Sequence, residues 1–205
     1  MIEWKSQKEL IGYPEALEWM DQRVKALQKG ESSESVWLLE HPSLYTMGTS
    51  GHENDVLQPQ KYPVFKTGRG GQVTYHGPGQ RIAYLMLDLN TRYLDIRRYV
   101  FELEEWLIQT LACFDIRGER RNGRVGIWVQ KDERDHKIAA LGIRVQKWVT
   151  SHGIALNVHP DLTAYQSIIP CGLKDYGVTS LADLGLQVSL EEVDEVLRQT
   201  FPFGS

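Results

Sequence analysis

The chain has 205 residues, with 23 Lys and Arg against 27 Asp and Glu, a formal net charge of −4. With 41% hydrophobic and 24% charged residues it has an ordinary globular composition and the length to bury one substantial core. That charge excludes a surface basic throughout, so no nucleic-acid partner is expected, and no apolar run approaches the roughly 18–20 residues that span a bilayer.

Taken in chain order, the elements are these. The N-terminal MIEWKSQKELIGY carries no signal-peptide core, and the cytoplasm is the expected compartment. A first helix is predicted over 13–30, with Pro14 at its start, Gly30 past its end, and Leu17, Met20, Val24 and Leu27 on one face. SVWLLE (35–40) reads as a buried strand, and 41–63 as one long loop. RIAYLMLDL (81–89) is a second buried strand. DIRRYVFELEEWLIQTLACF is a second helix, with Val100, Leu103, Leu107 and Leu111 on its apolar face. Cys113, near its end, reads as core packing. VGIWVQ (125–130) alternates, with Val125, Ile127 and Val129 inward. The segments 137–149 and 150–159 read as strands joined by a turn. Ser189 and Glu192 form a capping box ahead of the last helix. Strands in runs with helices between them predict an α+β single domain over 1–205.

The segment RGGQVTYHGPGQ (69–80) stands out. It lacks the G-x-x-x-x-G-K-[ST] spacing of a P-loop. Val73 occupies the third-glycine position of a dinucleotide fingerprint, and a strand follows it where a helix is needed. A solvated turn is one reading. The other is a ligand wall, because glycines admit close backbone approach and Arg69, Thr74 and His76 add polar groups.

With two cysteines, Cys113 and Cys171, a disulfide framework is not expected. Cys171 lies between Pro170 and Gly172, on a sharp turn that either buries the thiol or presents it to a cleft. A reactive thiol needs a cation that favours its thiolate. His76, His152, His136, His159 and Lys137 are the candidates, and each also has an ordinary structural reading. No His and acid spacing suits a metal.

Together these segments resemble the lipoyl(octanoyl) transferase family. RGGQVTYHGPGQ is similar to its signature block, EHPSLYTMGT to the block before it, and KIAALGIRVQKWVTSHGIALNV and IIPCGLKDYGVTSL to the two that follow. The likeness runs from about residue 38 to 184. It implies a mixed β-sheet with packed helices, as in biotin and lipoate protein ligases. It implies that Cys171 carries an octanoyl thioester taken from acyl carrier protein, with Lys137 as its dyad partner. The group would pass to a lysine of the lipoyl domains of 2-oxoacid dehydrogenase complexes or of the glycine cleavage H protein. The acyl site it implies is Arg69, Gly70, Gly71, Gln72, Val73, Thr74, Tyr75 and His76, with Ala140, Leu141, Gly142, Gly153, Ile154 and Ala155. No cofactor is implied beyond the phosphopantetheine on the donor. A monomer is expected, and the arginines of 91–98 and 117–124 are candidates for docking an acidic carrier. An ATP-dependent ligase and a non-catalytic acyl-binding protein are the alternatives. The first needs no nucleophilic cysteine, and the second needs neither Cys171 nor Lys137.

Overall fold

The computed structural model describes residues 2–169 and 176–204. Its frame is a mixed sheet in the order β1 (Glu3–Leu10), β2 (Ser35–Glu40), β6 (Gln80–Met86), β10 (Val149–Asn157), β9 (Arg134–Gln146), β8 (Arg124–Lys131) and β7 (Glu119–Arg121). β1 runs parallel to β2, and the short β11 (Gly177–Val178) runs parallel to β9. The other pairings are antiparallel. β3 (Leu44–Met47), β4 (Val64–Lys66) and β5 (Val73–His76) form a second, small sheet.

Every residue of β2, β6 and β10 is buried, because both faces of the main sheet are covered. Val36, Leu38, Ala83 and Leu85 face α2 (Ile96–Ala112) and α3 (Leu190–Gln199), meeting Leu103, Trp106, Leu107 and Leu197. The alternate residues Trp37, Leu39, Ile82 and Tyr84 face α1 (Tyr13–Gln28), meeting Ala16, Met20 and Val24. Trp106 ties α2 to α3 by donating its indole N–H to the Leu197 carbonyl at 2.8 Å. The expected capping box closes α3: Glu192 N–H donates to Ser189 Oγ, and Ser189 N–H to the Glu192 carboxylate. No helix among the described residues is long and apolar enough to cross a membrane.

Several expectations are corrected. The stretch 41–63 is not one loop, because it contains β3, four buried residues too short to show a period. β5 lies inside the glycine-rich segment, where Val-Thr-Tyr-His has strand-forming side chains between glycines. The edge strand β1 is mostly exposed and carries no apolar alternation. Val125 does not point inward; it is 54% exposed, because the positive φ of Gly126 (+117) breaks the extended alternation between it and the buried Ile127. The β9–β10 turn is at Lys147 and Trp148, both with positive φ as a tight hairpin requires, two residues before the expected place. Cys113 is exposed, since α2 ends one residue earlier.

Candidate active site

A cavity of about 330 Å³ opens beside the main sheet. β9 contributes Lys137, Ala140, Leu141 and Gly142, and β10 contributes His152 to Ala155. Ile82 and Tyr84 come from β6, Tyr13 from α1, and Ser50 from the loop after β3. Thr74 and His76 come from β5, with Arg69, Gly71 and Gln72 from the segment before it. Gly123, Arg124 and Val125 complete the lining. Three residues of the implied acyl site do not line it. Strand alternation turns Val73 and Tyr75 away, into a cluster with Tyr45 and Tyr165. Gly70 fastens the segment to β9 by donating its N–H to the Ile143 carbonyl at 2.8 Å.

Arg69 is 7% exposed and acts as a staple. It donates to the carbonyls of Thr46, Gly70 and Gln72 at 2.9–3.0 Å and to Thr46 Oγ1 at 2.7 Å. This close packing requires glycine at 142. A Cβ there would lie 2.8 Å from Arg69 Cδ and 3.2 Å from the Gly70 carbonyl oxygen.

From this staple a polar chain runs through the wall. His76 Nε2 lies 3.1 Å from Thr46 Oγ1 and Nδ1 lies 2.7 Å from Gln80 Oε1. The Gln80 amide nitrogen donates to Asn157 Oδ1 and Tyr165 Oη at 2.9 Å. Gln80 Oε1 is therefore the acceptor, so His76 Nδ1 holds its proton and Nε2 accepts from Thr46. Asn157 Nδ2 then donates to the Thr179 carbonyl at 3.0 Å, and Thr179 N–H donates to the Lys137 carbonyl at 3.0 Å. The chain links the glycine-rich segment to the strand that carries Lys137.

Burial lowers the pKa of all three histidines in this region. His41 falls to about 4 and His152 to about 3, and His76 lies well below its usual value. For His152 the nearby Arg69 and Arg144 charges act in the same direction, and for His76 the charges of His41 and Arg69 do. His41 Nδ1 donates to the Ile11 carbonyl and its Nε2 accepts from Tyr84 Oη at 2.7 Å. All three are neutral at pH 7, which suits them to shaping a slot better than to exchanging protons there. The unfolded chain binds protons at these sites from about pH 6.5 downward and the folded chain does not. Stability is thus complete above that pH and falls as pH drops toward the folded values. His41 and His152 are each expected to cost about 2 kcal/mol at pH 5, from about 1.4 kcal/mol per pH unit. Urea unfolding at pH 7.5 and pH 5 checks this, and equal midpoints would refute it.

Lys137 is 8% exposed. Its Nζ donates to the Val125 carbonyl at 3.1 Å and sits 4.7 Å from the centre of the Trp128 ring. Tyr176 meets the same indole edge-to-face, with ring centres 5.5 Å apart. Cys171 lies outside the described residues. His136 and His159 do not line the cavity. Tyr13, Tyr84, Ser50 and Ile82 line it without having been singled out, since a tyrosine in a helix start or a buried strand carries no distinguishing signal in sequence.

Most of the candidate docking arginines are matched by carboxylates. Arg120 pairs with Glu104 and Glu105, Arg121 with Glu119 and Asp135, and Arg124 with Asp135. Arg92 pairs with Glu34 and Arg98 with Glu102. Little net positive charge is left on these segments for steering.

Solved structures share this architecture. The bipartite lipoate protein ligase of Thermoplasma acidophilum superposes with a TM-score of 0.70 at 16% identity, over 98% of this chain and 83% of that one. A lipoate-protein ligase A bound with ATP gives 0.70 at 17%, over 97% and 84%. The biotin protein ligase of Aquifex aeolicus gives 0.53 at 12%, over 97% and 66%. The fold is thus of the lipoate and biotin protein ligase class, as the sequence implied. The lipoyl protein ligase A/B catalytic-domain model matches residues 12–202. Proteins named octanoyltransferase from Paramagnetospirillum magneticum and Nitrobacter hamburgensis are 55% and 56% identical, over 98% of this chain and 95% and 86% of theirs. The chain belongs to the lipoyl protein ligase A/B catalytic-domain family, among its octanoyltransferases.

Proposed function

We propose that this protein transfers an octanoyl group from octanoyl-acyl carrier protein to a specific lysine of lipoyl domains, through a thioester on Cys171. The carrying observation is the buried Lys137 ammonium in the wall of a cavity of small-molecule size, otherwise lined largely by small, apolar and neutral groups. The Cys171 thiolate attacks the donor thioester carbonyl. The pantetheine sulfur leaves and takes a proton from Lys137. The lipoyl-domain amine then attacks the Cys171 thioester, giving one proton to the Lys137 amine as the thiolate departs. The steps balance, and Lys137 returns to its starting state. The lipoyl domains would be those of 2-oxoacid dehydrogenase complexes and the glycine cleavage H protein. The ligase alternative draws on the ATP-bound structural neighbour, but that likeness extends to fold alone.

Intact mass after incubation with octanoyl-acyl carrier protein, without ATP, tests the reading. Wild type is expected to gain one hydroxylamine-labile octanoyl group and Cys171→Ala none. Added lipoyl domain should then carry the group on its lysine. Transfer seen only when ATP and free octanoate are supplied would establish the ligase instead.

A further inference from the structure

Gly126 and Glu104 lie far from Cys171 in sequence, and neither belongs to a family block quoted above. Gly126 has φ +117, a conformation that disfavours a side chain, and it lies beside the register shift of β8. A Cβ added there would stand 2.8 Å from the Ala139 carbonyl oxygen, 3.2 Å from Lys137 Cε and 3.4 Å from Lys137 Nζ. The missing side chain is therefore the space through which the lysine stem passes. The carbonyl just before Gly126, that of Val125, accepts from the ammonium.

Glu104 explains why this backbone holds its position. It is an acid on the buried side of α2, only 8% exposed, among leucines and Trp106. Its Oε1 accepts the Gly126 N–H at 3.1 Å, and its Oε2 accepts from Arg120 Nε at 3.1 Å. A carboxylate at this depth is costly unless hydrogen-bonded, and here both oxygens are engaged. The Trp128 indole is anchored separately, by donation to the Arg124 carbonyl at 3.1 Å.

We propose that Gly126 and Glu104 are positioning residues for Lys137: the glycine leaves room for the stem, and the carboxylate pins the Val125–Gly126 peptide, whose own carbonyl receives the ammonium. The proposal rests on the reading of Lys137 as partner of Cys171, and its test separates the two. In a Cys113→Ser background, which leaves Cys171 as the remaining thiol, iodoacetamide alkylation is followed against pH beside single-turnover octanoyl transfer. Lys137→Met is expected to slow transfer and raise the pH midpoint of alkylation. Gly126→Ala and Glu104→Gln should shift the midpoint the same way and lower the transfer rate roughly tenfold, with the donor KM within about twofold. Glu105→Gln removes another Arg120 contact without touching Gly126 and should leave both readouts unchanged. Should Gly126→Ala fail to fold, Glu104→Gln decides. A lowered Tm with an unshifted midpoint and normal transfer in Glu104→Gln would overturn the proposal. An unchanged profile in Lys137→Met would instead overturn the dyad.

Discussion

Lys137→Met is expected to lower octanoyl transfer by roughly 10²–10⁴-fold, the range for losing a proton-transfer group. The donor KM should change far less, because the slot is walled mainly by other residues. Methionine keeps an unbranched stem of similar reach beside Gly126, so the fold should survive; Lys137→Ala should lose as much activity and more packing. The measurement is single-turnover transfer with each half-reaction followed by intact mass. Both halves should slow, since in the proposed mechanism the ammonium would serve pantetheine departure and the amine would serve acceptor attack. Near-normal turnover would remove Lys137 from the chemistry. The histidines would be poor replacements, because burial keeps His76 and His152 neutral.

Gln80→Leu has the largest expected effect on stability. The side chain is 1% exposed and its amide bonds to His76, Asn157 and Tyr165. Leucine of similar size leaves the His76 Nδ1–H without its acceptor and takes a donor from Asn157 and Tyr165. Unsatisfied buried groups cost about 1–3 kcal/mol each, so a loss of roughly 3–4 kcal/mol is expected. Tm should then fall by on the order of 10 °C. Thr46→Val, which leaves the Arg69 bonds to the Thr46 and Gln72 carbonyls in place, should cost about 1 kcal/mol. Calorimetry on both variants checks the ranking, and equal losses would mean that the chain of bonds does not act through Gln80.

The role of the glycine-rich segment changes with these contacts. Arg69 looks in sequence like a ligand-binding cation, yet its donors hold three backbone carbonyls and a threonine hydroxyl. His76 is in sequence one of the candidate partners of the thiol, yet both ring nitrogens are bonded within the wall. Rigidity of one side of the slot follows from both. Thr74 and His76 face the cavity while Val73 and Tyr75 face away, which a strand imposes and a loop would not.

Local periodicity was enough to place α1 and α2, a capping box placed α3, and the continuous apolar runs of β2 and β6 announced buried strands. The blocks around Arg69–Gln80, Lys137–Val158 and Cys171 marked the family, because their residue types and order are specific. Short or exposed elements were not legible. β3 has four residues, β1 lies at an edge, and Val125 departs from alternation because Gly126 at positive φ interrupts it. What the sequence determined by itself is the family, the three helices and the buried central strands, since these depend on residues close together in the chain. Which groups stay neutral, which merely hold the wall, and which glycine admits the Lys137 stem were decided by tertiary structure alone. Burial and hydrogen-bond partners come from β3, α2, β8 and β10 at once, and no local pattern records which strand lies beside which.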